Sequence, residues 1–191
     1  MNRDLIGVQG GEGSFSEEAA KKFATENNMG KYEIKFLISS NEVLSAVESG
    51  DVDYGVFAME NAQGGVVIES VEAMAEHRCK IVNMFHVTIS QNLLVKKGML
   101  LENISEIHSH QQALRQCKDY LANNFWSCKL IESDDTAEAA RRLSEGKLST
   151  TTAVIGSKNC SKLYGLEILK EDIHDLKHNL TLFLAVKRVE G

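Results

Sequence analysis

Small hydroxyl and amide side chains gather at four places where the sequence pattern predicts a strand, then a turn, then a helix. These junctions lie at residues 10–16, 60–65, 109–112 and 157–160. The first turn of a helix offers unpaired backbone N–H groups and a partial positive charge, which suit a carboxylate or a phosphate. The four junctions together favour a site that binds a small anion through neutral groups. For any one junction taken alone, a simple helix cap is the better explanation.

Other patterns that could carry chemistry are weaker. The glycines between Gly7 and Gly13 do not have the G-x-G-x-x-G spacing of a dinucleotide-binding turn, and no P-loop pattern occurs. His108 and His110, like His77 and Cys79, are spaced i, i+2 and would share one face of a strand. No further ligand types cluster beside either pair, so solvated or helix-end histidines are the better explanation. We therefore predict neither a metal site nor a nucleotide cofactor.

The composition limits the classes of function. The chain has 191 residues, with 21 Lys+Arg against 27 Asp+Glu and a net charge of −6, which offers no basic surface for nucleic acid or an anionic membrane. With 43% hydrophobic residues, overall disorder is excluded. No apolar run approaches the roughly 18 residues of a membrane span, and no secretion signal is recognised at the start.

Two residue types complete this picture. The four cysteines form no C-x-x-C pair, which indicates a cytoplasmic protein with reduced, mostly buried thiols. The chain has no proline, although average usage would give about ten in this length.

Short apolar runs alternate with helical patterns, which predicts βαβ units, largely parallel sheets and two similar lobes. Strands are predicted at residues 5–9, 32–37, 54–58, 80–84, 87–95, 103–108, 129–132, 153–156 and 181–186. The 87–95 strand is long enough to pass from one lobe to the other. Helices are predicted to start near Ser14 or Ser16, Asn41, Ile68, Gln111, Asp135 and Ser157.

Three expectations concern packing. The helix over residues 68–76 is predicted to bury a face that includes Val71 and Met74, and residues 111–123 are predicted to form one amphipathic helix. Trp126 and Tyr164 are expected to lie in the core or to pack between lobes.

Motifs at these junctions resemble the catalytic domain of prephenate dehydratase, in order along nearly the whole chain. The matching segments are Gly10-Gly11-Glu12-Gly13-Ser14-Phe15-Ser16, Glu60-Asn61, Ser109-His110-Gln111-Gln112 with Gln116-Cys117, Thr136-Ala137-Glu138-Ala139-Ala140, Ala153-Val154-Ile155-Gly156-Ser157, and Asn179-Leu180-Thr181-Leu182-Phe183.

The resemblance implies a two-lobed α/β fold similar to type II periplasmic binding proteins, with a ligand cleft between the lobes. The first lobe would comprise residues 1–83 plus 178–191 and the second residues 84–177, without the family's ACT regulatory domain. It also implies a carbon–oxygen lyase of phenylalanine biosynthesis that converts prephenate to phenylpyruvate, or arogenate to phenylalanine. We expect a cytoplasmic homodimer that acts on a small molecule without a metal or organic cofactor.

The resemblance further assigns roles to individual residues. Thr181 would act at the leaving hydroxyl of the substrate. Seven further residues would contact the substrate: Ser14, Asn61, Ser109, Gln116, Thr136, Ser157 and Asn179.

The chain departs from the family pattern inside these motifs. Leu182 replaces the family arginine next to the threonine, and a leucine cannot pair with a carboxylate. Ala62 stands where a Ser or Thr follows the asparagine, and Gly11, Ala58 and Gln111 stand where the family has prolines. Two alternatives to a dehydratase therefore stay open: a prephenate decarboxylase-like enzyme, or a non-catalytic small-anion-binding or regulatory homologue.

Overall fold

The protein is described by a computed structural model, which covers residues 3–189. Within this range the first half of the chain forms β1 (Asp4–Gln9), α1 (Phe15–Glu26), β2 (Tyr32–Leu37), α2 (Ser40–Ser49), β3 (Tyr54–Asn61), β4 (Gly65–Val66), α3 (Ile68–Glu76) and β5 (Cys79–Thr88). The second half forms β6 (Asn92–Val95), a 3-10 helix (Leu101–Asn103), β7 (Glu106–Ser109), α4 (Gln111–Gln116), α5 (Lys118–Asn124), β8 (Lys129–Glu132), α6 (Thr136–Ser144), β9 (Thr152–Gly156), α7 (Lys158–Tyr164), β10 (Glu167–Lys170) and β11 (Leu180–Arg188).

The chain divides into two compact units. Unit 1 contains the described residues up to Thr88 and those from Leu180 onwards, and unit 2 contains Ile89–Asn179. Residues 84–88, which the sequence assigned to the second lobe, continue β5 and stay paired with β11 as far as Leu180 opposite Thr88. The predicted strand over residues 87–95 is wrong, because β5 ends at Thr88 and the chain is irregular until β6. Residues 1, 2, 190 and 191 of the predicted first lobe lie outside the described range.

The described part of unit 1 contains a sheet with the strand order β2-β1-β3-β11-β5, and β4 pairs with β3. β1 runs parallel to β2 and β3, whereas β11 runs antiparallel to β3 and β5. The sheet is therefore mixed and not largely parallel as predicted. This topology matters for the site, because the carboxyl end of β3 lies beside the start of β11.

Apolar side chains of the neighbouring helices pack against this sheet. On one face, Val43 and Leu44 of α2 pack with Ala73 of α3 and with Phe57 and Leu184 of the strands. Elsewhere in unit 1, the ring of Phe23 in α1 stacks on Phe85, which in turn stacks on Phe183. The helix α3 has the predicted bounds but not the predicted face. It buries Ser70 and Ala73, whereas 40% of Val71 is exposed.

Short polar side chains set where several helices begin. Ser14 caps α1, and its Oγ accepts from the backbone N–H of Glu17. Ser39, not Asn41, caps α2 and forms a reciprocal capping box with Glu42. Ser157 caps α7 as predicted, and its Oγ accepts from the N–H of Cys160 at 3.1 Å.

Unit 2 contains a second mixed sheet, with the described strands in the order β10-β6-β9-β7-β8. β7 is parallel to β8 and β9, so their carboxyl ends lie at one edge, where Ser109 and Gly156 end their strands. The single helix predicted over residues 111–123 is wrong, because α4 ends at Gln116 and α5 starts at Lys118. The prediction for Trp126 is also wrong, since 83% of this residue is exposed, whereas Tyr164 packs against the core of unit 2.

All four cysteines are free thiols, with Cys117 and Cys160 buried and Cys79 and Cys128 partly buried. Burial raises the pKa of the Cys117, Cys79 and Cys128 thiols, which keeps them protonated near neutral pH. Among residues 3–189, no helix combines the length and the apolar character that a membrane crossing requires.

Candidate active site

The carboxyl end of β3 brings two predicted site residues together in unit 1. Asn61 lies directly opposite Thr181 in the register of β3 and β11. Its side-chain Nδ2 donates a hydrogen bond of 2.8 Å to Thr181 Oγ1, and both residues are buried. The predicted asparagine and threonine thus form one hydrogen-bonded pair.

The orientation of the Asn61 amide is fixed by the backbone. Its Oδ1 accepts from the N–H groups of Gln63 at 2.9 Å and Gly64 at 2.8 Å. These bonds close the turn of the β3–β4 hairpin, so the junction at residues 60–65 is a hairpin and not the predicted entry to a helix. Because Oδ1 accepts these two hydrogen bonds, the NH2 group of Asn61 is directed to Thr181.

This orientation determines what the Thr181 hydroxyl can do. A hydroxyl group has one hydrogen to donate and two lone pairs that accept. Because Thr181 Oγ1 accepts from Asn61, its own hydrogen is available to a ligand. The pair therefore presents an O–H donor whose oxygen is stabilised by a second donor, an arrangement suited to protonating a leaving oxygen.

The loop after β1 carries Ser14 at the start of α1. Gly10 and Gly13 have positive φ angles of 112° and 90°, a backbone region that other residues rarely adopt. Ser14 is buried and is occupied as a helix cap, as described above. The buried carboxylate of Glu17 accepts from the N–H of Gly13 at 2.6 Å and pairs with Lys21. Glu17 was not predicted, and its carboxylate holds this loop in place.

Leu182, where the family has arginine, is half-buried and lies between Glu60 and His86 in the sheet register. A β-bulge separates Leu182 from Phe183 on the β3 side. A cation approaches this region from α1, because Lys22 Nζ donates to the backbone oxygen of His86 at 2.7 Å. Lys22 is thus a cation that the structure places near the strand position of the missing arginine.

Unit 2 brings together a second pair of predicted residues. Gln116, the last residue of α4, accepts at its Oε1 from Asn179 Nδ2 at 2.8 Å. The same oxygen accepts from Gln91 Nε2 at 3.0 Å. All three amides are buried. Gln91 was missed because the sequence pattern placed it inside the continuous strand predicted over residues 87–95.

The remaining predicted residues of unit 2 lie at strand ends or helix starts. Ser109 ends β7, and its hydroxyl donates to the backbone oxygen of Ile155 in the neighbouring β9 at 2.8 Å. Ser157 caps α7, and Thr136 is the half-buried first residue of α6. Ser109 can therefore only accept a hydrogen bond from a ligand, unless its present bond is broken.

A cavity of about 350 Å³ lies at the carboxyl ends of β7 and β8. His110, Gln111, Glu132, Ser133 and Asp134 line it. His110 Nδ1 accepts from the N–H of Gln112, so the neutral ring carries its hydrogen on Nε2. The two carboxylates in this lining disfavour an anionic ligand there, so the cavity does not replace the amide and hydroxyl groups as the candidate site.

Comparison with known proteins identifies the family of the chain. A sequence model described as prephenate dehydratase matches residues 6–190. The chain belongs to the prephenate dehydratase family. Its resemblance to this family, inferred above from the motifs, is thereby confirmed.

Two curated relatives illustrate the range of this family. The chain is 31% identical over 189 residues to a bifunctional chorismate mutase/prephenate dehydratase of Buchnera aphidicola, covering 98% of this chain and 48% of the relative. It is 32% identical to arogenate dehydratase 2 of Petunia hybrida, covering 98% of this chain and 45% of the relative. The chain thus spans about half the length of these relatives.

Solved structures establish the fold. The prephenate dehydratase from Arthrobacter aurescens, determined in complex with L-Phe, matches with a TM-score of 0.86 at 24% identity, over 98% of this chain and 60% of that one. A nutrient-binding protein from Burkholderia cenocepacia, bound to methionine, matches with a TM-score of 0.53 at 16% identity, over 96% and 84% of the two chains. The predicted α/β fold, similar to periplasmic binding proteins, is confirmed.

Proposed function

We propose that the chain catalyses the decarboxylating dehydration of prephenate to phenylpyruvate, or of arogenate to phenylalanine. The observation that carries the proposal is the buried Asn61–Thr181 pair, in which the amide donates to Oγ1 and leaves the hydroxyl hydrogen for a ligand. Membership of the family supports these two related acids as the proposed substrates. Ser14, Ser109, Gln116, Thr136, Ser157 and Asn179 are the other residues that we propose bind the substrate.

The proposed reaction requires one proton at one oxygen. The bond between the ring and its carboxylate breaks, CO2 leaves, and the electron pair enters the ring. The ring then expels its hydroxyl group, which takes a proton and departs as water while the ring becomes aromatic. One prephenate dianion and one proton thus give phenylpyruvate, CO2 and water.

In this proposal Thr181 hydrogen-bonds to the departing hydroxyl and passes its proton to it, regaining one from solvent. A threonine hydroxyl is a weak acid, so the developing charge on Oγ1 must be stabilised by its surroundings. The Nδ2–H of Asn61 donates to that oxygen at 2.8 Å and strengthens as negative charge develops. The neutral amides of unit 2, Gln116 and Asn179, supply hydrogen bonds for the carboxylates of the substrate.

Incubation of the purified chain with prephenate, and separately with arogenate, tests the proposal. Formation of phenylpyruvate or phenylalanine above the solution rate is expected from the wild type. Thr181→Val removes the hydroxyl at constant shape and is expected to lower kcat by about 100-fold or more. Thr152→Val, at the amino-terminal end of β9, removes another buried threonine hydroxyl and is expected to leave kcat unchanged. Folded wild-type protein without turnover of either acid would refute the proposal.

Leu182 favours a second candidate, a binding protein that has kept the polar residues and lost the reaction. The loss of an arginine–carboxylate contact weakens the hold on a dicarboxylate, on the scale of one charged hydrogen bond. Thermal stabilisation by prephenate, arogenate, phenylalanine or phenylpyruvate, without turnover, would favour this candidate. The third candidate is a prephenate decarboxylase-like enzyme. Product analysis by NMR distinguishes it from a dehydratase, because a decarboxylase would release a product with a non-aromatic ring.

Two further expectations are carried forward as proposals. We infer from the resemblance alone that the chain forms a homodimer, and from its cysteine usage that it acts in the cytoplasm. Light scattering on purified protein tests the dimer, and fractionation of the source cells tests the location. A monomer in light scattering would contradict the first.

A further inference from the structure

A buried cluster of three amide side chains in unit 2 includes one residue to which no role has been given. Gln116 Oε1 accepts from Gln91 Nε2 at 3.0 Å and from Asn179 Nδ2 at 2.8 Å. Their exposed fractions are 3% for Gln91, 4% for Gln116 and 0% for Asn179. Gln91 is thus as deeply enclosed as the two residues proposed to bind substrate.

The two donated bonds determine the orientation of the Gln116 amide. A primary amide has one oxygen that accepts and one NH2 group that donates. Because both donors are directed at Oε1, this oxygen is fully occupied and the NH2 group becomes the end that a ligand can use. An NH2 group suits a carboxylate, whereas a flipped amide would offer an oxygen and repel it.

Gln91 keeps this orientation although its own oxygen goes without a partner. Among residues 3–189, Gln91 Oε1 is buried and makes no hydrogen bond. A flip of the Gln91 amide would not solve this, because it would place Oε1 against Oε1 of Gln116 at about the present distance of 3.0 Å. Gln91 Oε1 therefore lacks a partner because the amide is oriented so that its Nε2 donates to Gln116.

Hydrogen bonds hold the backbone at Gln91 and at nearby Ile89, which fixes the position from which the Gln91 side chain projects. The backbone oxygen of Gln91 accepts from Ile173 N at 2.8 Å, and its N–H donates to His174 Nδ1 at 3.4 Å. Two residues earlier, Ile89 N donates to the backbone oxygen of Asn179 at 2.7 Å. The irregular segment between β5 and β6 therefore presents Gln91 from a defined position.

We propose that Gln91 is a positioning residue, which holds the Gln116 amide with its NH2 group free to donate to a carboxylate of the substrate. This inference rests on the proposed function for its kinetic consequences. Its structural content, the orientation of one amide by another, holds for the free protein.

Two substitutions of similar size separate positioning from packing. Gln91→Met removes the donor and is expected to raise KM about tenfold with a smaller change in kcat. Gln91→Glu puts an acceptor next to Gln116 Oε1, which forces the amide to flip, so a larger rise in KM is expected at about pH 8. Thr152→Val and Ser161→Ala, which remove other hydrogen bonds of unit 2, serve as stability-matched controls.

The pH profile gives a signature that a packing role would lack. A buried carboxyl group has a raised pKa, and once protonated it can donate to Gln116 Oε1 as the native amide does. The KM of Gln91→Glu, relative to wild type, is therefore expected to fall as the pH is lowered from about 8 to about 5.5. His174, Asp175 and Cys117 are ionisable groups next to this cluster, and Asp172 contacts the neighbouring Ser90 and Asn92. Gln91→Met controls for any effect of pH that does not arise from the new carboxyl group, because its KM relative to wild type should stay constant.

The side-chain amide resonances of Gln116 in the free protein provide a test that needs no turnover. In Gln91→Glu they are expected to shift at about pH 8 and to return towards the wild-type position at low pH, whereas Thr152→Val leaves them in place. Wild-type protein that fails to turn over substrate contradicts the proposed function, while this spectrum still decides the inference. Unmoved Gln116 resonances, or equal KM values in Gln91→Met and wild type, would overturn it.

Discussion

The side-chain amides of Asn61 in unit 1 and Gln116 in unit 2 have the same hydrogen-bonding pattern, but their donors are of different kinds. In each amide the oxygen accepts two hydrogen bonds, which leaves the NH2 group to face a partner or a ligand. The donors to Asn61 are backbone N–H groups of a hairpin turn, whereas the donors to Gln116 are the side chains of Gln91 and Asn179. The orientation in unit 1 therefore withstands most substitutions around it, while the orientation in unit 2 depends on two particular residues.

The largest effect is expected where the backbone-held amide is changed itself. Asn61→Asp keeps the shape and still accepts from Gln63 and Gly64, but it turns the donor to Thr181 into an acceptor. The Thr181 hydroxyl then donates to the carboxylate and loses its hydrogen for the substrate, so kcat is expected to fall by about 100-fold or more. Steady-state kinetics on prephenate measure this.

Asn124→Asp, on the exposed face of α5, makes the same change of charge and should retain wild-type kcat. A loss confined to KM in Asn61→Asp would instead mean that Asn61 only binds substrate. The comparison between the two units would then fail, because both amides would have the same task.

A smaller, opposite effect is expected at the position where the family has arginine. Leu182→Arg places a guanidinium group on β11 next to Thr181, where a fork of N–H donors can pair with a carboxylate. One such charged hydrogen bond corresponds to a gain in kcat/KM of about tenfold.

Leu180→Arg is the matched control, because it adds the same side chain two residues away in the same strand. Equal gains from both substitutions would show a general effect of positive charge on an anionic substrate. No gain from Leu182→Arg would indicate that Lys22, whose Nζ lies on the backbone of His86, already supplies the cation. Lys22→Met would then be expected to raise KM.

A hydrogen bond outside the candidate site gives a reference value for how much one such bond stabilises unit 2. Thr152 Oγ1 donates to Glu106 Oε1 at 2.6 Å, and this bond lowers the pKa of the Glu106 carboxyl. Thr152→Val is expected to destabilise the fold by about 1 kcal/mol without changing KM. Denaturant unfolding and kinetics together measure both quantities.

The pH dependence of that difference follows from the direction of the pKa shift. A carboxyl group whose native pKa lies below its unfolded value stabilises the fold above the unfolded pKa, which is about 4.3 for Glu. This contribution is lost as the pH falls through the native pKa. The stability gap between wild type and Thr152→Val is therefore expected at neutral pH and should shrink below about pH 4. A gap that is constant with pH would point to packing alone.

The sequence was sufficient for several elements and for naming the residues of the two pairs. It was insufficient for contacts between residues that lie far apart along the chain. The strand at residues 129–132 and the helix at residues 68–76 follow from local periodicity, which depends on near neighbours. Asn61 and Thr181 were found as motif residues, but their pairing across 120 positions is a product of the antiparallel β11. The sequence did not identify Gln91, because its role depends on contacts with Gln116 and Asn179. In addition, the apolar residues around it led to the prediction of a continuous strand in place of the irregular segment that contains it.

Packing errors had the same physical origin. Val71 and Trp126 are large apolar residues. The sequence pattern assigned Val71 to the buried face of a helix, and Trp126 was expected in the core or between lobes. In the structure α3 buries its small residues instead, because Ser70 donates to the backbone oxygen of Ala58 at 2.7 Å and fits closely against β3. Trp126 lies in the turn after α5, and its neighbour Phe125 occupies the core. Which of two adjacent apolar residues is buried depends on the packed partner, and no periodic pattern contains that information.

The smallest effect concerns the prolines that the family has and this chain lacks. Proline inside a strand normally removes a hydrogen bond of the ladder. At Ala58 the backbone N–H donates to the side chain of Gln9, at 3.4 Å, beyond the last described pairing of β1 with β3 at Val8 and Val56. Ala58→Pro therefore removes only one long hydrogen bond to a side chain. It also lowers the conformational entropy of the chain before Asn61, both in the unfolded state and in the folded protein without ligand.

This substitution is expected to stabilise the fold by about 0.5 kcal/mol and to lower KM by about twofold. Gln111→Pro, at the first residue of α4, is the comparison, since proline fits that helix position and lies on the other unit. If both substitutions stabilise the fold but only Ala58→Pro lowers KM, the turn that holds Asn61 limits substrate binding. A rise in KM for Ala58→Pro would mean instead that the bond to Gln9 contributes to the site, and that the backbone-held amide of unit 1 also depends on a side chain.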